Sequence, residues 1–176
     1  MMNRNVRIAK QLIKLAKRLV AEDTSDVEAM FDNREYIKIA ILARDTTDSA
    51  VLLKIAELYR DNNVTAPMIM SKVTENQNVD KQTLEIAYET THDPDILSNT
   101  KLSPEFLRKA FSSCTNKAES PHVLENLIFN RNTPKEVIKQ ISEDNGYGWD
   151  DIKKNADYRL KGHTPVYKDW WEEWNR

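Results

Sequence analysis

Three histidines and one cysteine are the side chains in this chain best suited to bind a metal or to act as a base or nucleophile. His92, His122 and His163 are far apart, and none has a second histidine or cysteine at the spacing of a metal site. We expect each of them in a loop or at a helix end. Cys114 ends the helical apolar pattern of residues 106–114, so we expect a buried, unreactive thiol. One cysteine cannot form an internal disulfide.

Glycines that would bind a phosphate or expose a nucleophile are also missing. All three glycines lie after residue 145. The one Gly-x-Gly, at residues 146–148, neither follows a predicted strand nor begins a phosphate-binding helix, and no Gly-x-Ser-x-Gly elbow is present. We interpret residues 144–148 as a turn.

Paired carboxylates are the remaining candidates for acid–base chemistry. Asp150-Asp151 and Glu172-Glu173 are sequence neighbours, whose side chains diverge on a helix. At helix starts, by contrast, carboxylates cap free N–H groups and interact favourably with the helix dipole. Four acidic residues flank predicted helix starts: Asp45, Asp48, Asp93 and Asp95. We therefore predict that the protein is not an enzyme and has no catalytic residue, metal site or cofactor.

The first functional candidate is a basic amphipathic helix predicted over residues 4–21. Its apolar face is formed by Ile8, Leu12, Leu15 and Leu19. The first 21 residues contain no acid, whereas the rest of the chain has 20 basic and 28 acidic residues, which argues against general nucleic-acid binding. Three interpretations stay open: a cap on the first helices, a segment that engages an anionic or protein surface, and a membrane-surface helix. The predicted electrostatic contacts are Arg7, Lys10, Lys14 and Lys17.

The second candidate is the aromatic tail. All four tryptophans lie after residue 148, and Trp and Tyr dominate interface hot spots. We predict a helix within residues 149–160 and a short final helix over residues 167–175. The predicted partner anchors are Tyr167, Trp170, Trp171 and Trp174. In the alternative interpretation these side chains only cover the end of the last helices, and the acidic residues among them would repel nucleic-acid phosphates.

The elements between these two segments are predicted from repeated helix starts. The polar start residues are 10 to 18 positions apart, and several are followed by proline, which suits a first helical turn. Paired, they give a repeat of about 30 residues, within the range of helical solenoids. Helices this short need neighbours to bury their apolar stripes, for example Met68, Ile69 and Val73. The predicted starts are Thr47, Thr65, Asp80, Asp93, Ser103, Ser120 and Thr133.

One stretch carries a family resemblance. Residues 130–141, Asn-Arg-Asn-Thr-Pro-Lys-Glu-Val-Ile-Lys-Gln-Ile, resemble a unit of the variant leucine-rich repeats, a HEAT-like group with the signature Asn-Pro-x-Thr-Pro-x-x-φ-φ-x-x-φ. Residues 45–56 and 103–111 are looser copies, so the resemblance covers residues 33–145. It implies an all-α fold, a short α-solenoid of stacked helix pairs, with a partner-binding surface and no catalytic residue. The chain lacks the cysteine cluster of some members.

A second resemblance concerns the basic helix. Residues 6–21 resemble leader helices at the starts of some tailed-phage proteins. This implies processing after Glu22, although Val20-Ala21-Glu22 departs from the usual Leu/Ile-x-Glu pattern.

These patterns divide the chain into three parts. Residues 1–22 form a basic amphipathic N-terminal helix, a cap or leader; residues 23–143 form a helical repeat body; and residues 144–176 form an aromatic C-terminal extension. We expect a non-enzymatic protein–protein interaction or scaffold protein, phage-encoded and associated with the virion or the host. The alternatives are a nucleic-acid-binding HEAT-like protein and a self-assembling structural component. With no predicted membrane span or secretory signal, we expect a cytoplasmic or virion-associated location.

Overall fold

The computed structural model describes residues 24–114, 120–143 and 150–165. Over these residues the chain is all-helical, with no strand, and it divides between His92 and Asp93 into two compact units. In those same ranges no helix is long and apolar enough to cross a membrane. The helices are α1 (Thr24–Asp32), α2 (Tyr36–Asp45), α3 (Ser49–Asp61), α4 (Pro67–Glu75), α5 (Lys81–Thr91), the 3₁₀ helix η1 (Pro94–Ser98), α6 (Pro104–Ser113), α7 (Pro121–Phe129), α8 (Lys135–Glu143) and α9 (Asp150–Leu160).

Short polar side chains cap four of these elements, as the sequence predicts, whereas the predicted starts at Thr65 and Ser120 make no side-chain cap bond. The side chains of Asp48, Asp80 and Ser103 each accept a hydrogen bond from a backbone N–H in the first turn, and Asp93 does the same for η1. Each bond satisfies a donor that has no partner within the helix. Each of the seven predicted starts lies one or two residues before the first residue of an observed helix. Proline occupies the first position of four elements: Pro67, Pro94, Pro104 and Pro121.

In the first unit, helices two apart in sequence pack side by side. Helix α2 packs on α4, α3 packs on α5, and α1 contacts both α2 and α3. The loop after α4 is bonded to the end of α2, so these two helices run in the same direction. The largest fully buried side chains of this unit are Ile39, Leu52, Ile55, Ile69 and Leu84.

The second unit is packed in the same way around η1, α7 and α9. Helix α7 lies between η1 and α9, and α9 also packs on α8. The helix predicted within residues 149–160 is observed at Asp150–Leu160, where Ile152 and Ala156 are buried. The core of the unit includes Leu97, Leu107, Leu127, Ile138 and Ile152.

Three local predictions are wrong. Cys114 is only half-buried, because α6 ends at Ser113 and the cysteine is its C-cap. Asp45 does not flank the start of α3; it is the last residue of α2 and pairs with Arg44. Met68 does not point inward but is half-exposed, since Ile69, Met70 and Val73 form the buried face of α4.

Candidate interaction surface

All eight residues predicted to bind a partner lie outside the described part of the chain. Their roles as anchors and electrostatic contacts therefore stay predictions. They are Arg7, Lys10, Lys14 and Lys17 in the basic segment, and Tyr167, Trp170, Trp171 and Trp174 in the aromatic tail.

The three histidines lie at or beside helix ends, as expected. His92 is the C-cap of α5, His122 lies in the first turn of α7, and His163 follows α9. The rings of His92 and His163 contact Tyr88 and Tyr158 respectively. Among the described residues no group of three or more His, Cys, Asp or Glu side chains is placed to hold a metal ion.

A buried asparagine joins α2 to the loop after α4. The Nδ2 of Asn76 donates to the carbonyl oxygens of Ala43 at 2.8 Å and Thr46 at 2.9 Å. Its Oδ1 accepts a hydrogen bond from the N–H of Asn78 at 2.8 Å. The side chain thus satisfies carbonyls at the end of α2 that have lost their helical partners. We call this arrangement an amide clamp.

A second amide clamp occurs in the other unit, 54 residues later. Asn130 is fully buried, and its Nδ2 donates to the carbonyls of Leu97 at 2.7 Å and Asn99 at 2.9 Å. Its Oδ1 accepts from the N–H of Asn132 at 2.9 Å. The side chain of Asn132 adds bonds to the carbonyls of Thr100 and Leu102. A single shift of 54 residues therefore relates Ala43 and Asn76 to Leu97 and Asn130.

An arginine takes the equivalent role at the end of α7. The guanidinium of Arg159, on α9, donates to the carbonyls of Leu127 and Ile128 and, at 3.1 Å, of Thr133. Burial lowers the pKa of this group. Arg159 thus closes the turn after α7 from a helix, whereas Asn76 and Asn130 act from loops.

The first unit also exposes an apolar patch formed by Ile37, Ile41 and Met68. These side chains are 69%, 47% and 51% exposed, and they belong to the adjacent helices α2 and α4. The corresponding positions in the second unit are polar. There, Asn126 Nδ2 lies 3.4 Å from Asp95 Oδ1, across the junction of α7 with η1.

The same 54-residue shift relates these positions to the first unit. By this shift Asp95 corresponds to Ile41 of α2, and Asn126 corresponds to Lys72 of α4. One turn earlier on these two parallel helices lie Ile37 and Met68. We call these three exposed apolar side chains the α2–α4 patch.

The charged side chains around the α2–α4 patch are paired with their own neighbours. Lys38 lies 2.8 Å from Glu35, Lys72 lies 2.6 Å from Glu75, and Arg44 lies 2.6 Å from Asp45. The hydrogen bond from Arg44 lowers the pKa of Asp45, and those from Lys72 and Ser71 lower the pKa of Glu75. The rim therefore offers little net charge, which suits an apolar ligand better than a charged one.

The sequence analysis missed both the clamps and the patch. In the sequence Asn130 stands out only as the first residue of the repeat-like stretch 130–141, although the repeated Asn-x-Asn at residues 76–78 and 130–132 is a signal for both clamps. For the patch, the signal in the sequence was a pair of isoleucines four residues apart, Ile37 and Ile41.

Comparison of the chain with protein-family models, with curated proteins and with solved structures finds no significant match.

Proposed function

We propose that this chain is a non-enzymatic protein–protein interaction or scaffold protein, built as a short α-solenoid of the HEAT-like, variant leucine-rich-repeat kind. The observation that carries the proposal is the pair of amide clamps. Asn76 reaches back 30 to 33 residues and Asn130 reaches back 31 to 33 residues, each to the end of a parallel neighbouring element.

This spacing supports a repeated helix pair of about 30 residues. The first helix of one repeat would then lie beside the first helix of the next repeat, as α2 lies beside α4 and η1 lies beside α7. In such an architecture each repeat contacts its neighbours and leaves an extended surface for a partner. Arg159 reaches back 26 to 32 residues and fits the same series.

The partner contacts in this proposal are those predicted from the sequence. Tyr167, Trp170, Trp171 and Trp174 would act as aromatic anchors, because such side chains bury a large area at low entropic cost. The basic residues of the N-terminal segment would steer an acidic partner surface. A phage origin, with a virion- or host-associated partner, rests on the leader-like residues 6–21.

A capture experiment with matched variants tests the proposal. The bait is the full chain, compared with a version in which Trp170, Trp171 and Trp174 are alanine. A third bait carries Gln at Arg7, Lys10, Lys14 and Lys17, and its control carries Gln at four exposed lysines of the helical part, Lys81, Lys101, Lys135 and Lys139. We expect the first two variants to lose a protein that the wild type and the control retain. Equal recovery of every protein by all four baits would refute the anchor assignment.

A further inference from the structure

We propose that α9 is a releasable helix: it opens from α7 and α8 as one piece while those two helices stay folded. Opening would uncover the faces of α7 and α8 against which α9 packs, together with the carbonyls at the end of α7. The proposal concerns contacts within the second unit, so it does not rest on the proposed function or on the identity of a partner.

Little apolar surface holds α9 in place. Of its 11 residues only Ile152 and Ala156 are buried, and they lie four positions apart on one face. The two helices against which it packs each bury three larger side chains, which are Leu124, Leu127 and Ile128 in α7 and Val137, Ile138 and Ile141 in α8. An alanine side chain offers little apolar area, so α9 gains less from burial than either neighbour does.

Polar contacts add to the attachment of α9. The hydroxyl of Ser142, on α8, donates to the carboxylate of Asp157 at an exposed site, where water can replace either group. The guanidinium of Arg159 donates to two carbonyls at the end of α7 and to a third in the turn that follows, and all three bonds are part-buried. Arg159 is therefore the main polar contact that opening would break.

The stabilisation from Arg159 is limited by the cost of removing its charge from water. Among the described residues no carboxylate pairs with its guanidinium, and burial lowers the pKa of this group. Hydrogen bonds to neutral carbonyls only partly replace the hydration that a cation loses. We therefore expect α9 to open at a lower free energy than the rest of the second unit.

Thiol labelling at two buried alanine positions of the second unit tests this arrangement. In a Cys114→Ser background of the full chain, Ala156→Cys reports on α9, and Ala110→Cys, at a similarly buried position of α6, is the matched control. A buried thiol reacts only when the structure around it opens, so we expect Ala156→Cys to be labelled at least about tenfold faster than Ala110→Cys. Equal labelling rates would mean that α9 opens only when the whole unit unfolds, which would overturn the proposal.

Hydrogen exchange of the full chain gives a second readout, without a new side chain in the packed face. We expect the most protected amides of α9 to exchange at least about tenfold faster than those of α7 and α8. Arg159→Gln should accelerate exchange in α9 by a further factor of at least about ten, because three carbonyl oxygens lose their donor. Lys154→Gln, which removes an exposed cation of the same helix, should leave it unchanged.

Two results of the exchange experiment would contradict the proposal. One is equal protection of α7, α8 and α9 in the wild type. The other is an Arg159→Gln variant that exchanges no faster in α9, or that exchanges faster by the same factor in all three helices.

Discussion

The amide clamp of Asn130 provides the sharpest test of what holds the second unit together. Replacing Asn130 with alanine removes three hydrogen bonds, two donated by its Nδ2 to the carbonyls of Leu97 and Asn99 and one accepted from the N–H of Asn132. Because Asn130 is fully buried, water cannot take its place without a rearrangement of the turn.

The expected loss of stability follows from the burial of each partner. The bond to Leu97 is buried, and leaving such a carbonyl unpaired costs about 1–3 kcal/mol. The bonds to Asn99 and Asn132 are only part-buried, so each contributes about 0.5–1.5 kcal/mol. The total is about 4 kcal/mol, which lowers the Tm by roughly 8–16 °C for a chain of this size.

Asn132→Ala is the matched control. Asn132 also donates to two carbonyls, of Thr100 at 2.7 Å and Leu102 at 3.1 Å, but it is half-buried, so water can replace its amide. We expect a loss of about 1 kcal/mol. Thermal and urea unfolding followed by circular dichroism would measure both variants. If Asn130→Ala costs no more stability than Asn132→Ala, the buried amide of Asn130 does not stabilise the unit more than a half-buried one does.

Three further predictions concern single side chains. Thr133→Val should raise the Tm through a gain of about 1 kcal/mol, because the buried Oγ1 has no hydrogen-bond partner and Val79, 54 residues earlier, is already buried. Arg34→Gly should gain about 1 kcal/mol in urea unfolding, since φ is 56° there, whereas Arg34→Ala should not. Arg108 lowers the pKa of Glu136, so their pair stabilises the fold above the ordinary glutamate range and is lost as the pH falls through the lowered pKa. As the pH falls through the glutamate range, Glu136→Gln should therefore lose less stability than the wild type in urea unfolding, whereas near neutral pH the two proteins should show the same pH dependence.

Helix starts were predictable from the sequence because capping is local. Asp80 and Ser103 accept hydrogen bonds from N–H groups three residues ahead, and Pro104 occupies the first helical position. All the physics of such a start lies within one turn of chain. The all-helical class followed for the same reason, since no tertiary contact was needed to infer it.

The clamps and the patch depend on contacts that the sequence does not display. Asparagine is a common turn residue, so the sequence alone does not show what Asn76 does. Its role in the clamp is visible only in the structure, where its Nδ2 lies 2.8 Å from the carbonyl oxygen of Ala43, 33 residues earlier. Met68 fits an apolar helical pattern, yet the neighbouring Ile69 and Met70 fill the buried face instead. Which of several adjacent apolar residues is covered is decided by the next helix, so burial at a helix flank was beyond prediction.

The reach of the clamps has a consequence for how the chain acquires its structure during synthesis. None of the clamp bonds made by Asn76, Asn130 or Arg159 extends back more than 33 residues. Ribosomes add about 5–20 residues per second, so each of these bonds has both its ends available within a few seconds of translation. A nascent chain of this kind can consolidate its early helices before its later ones exist, which favours ordered growth from the N-terminal side over a late search among distant segments.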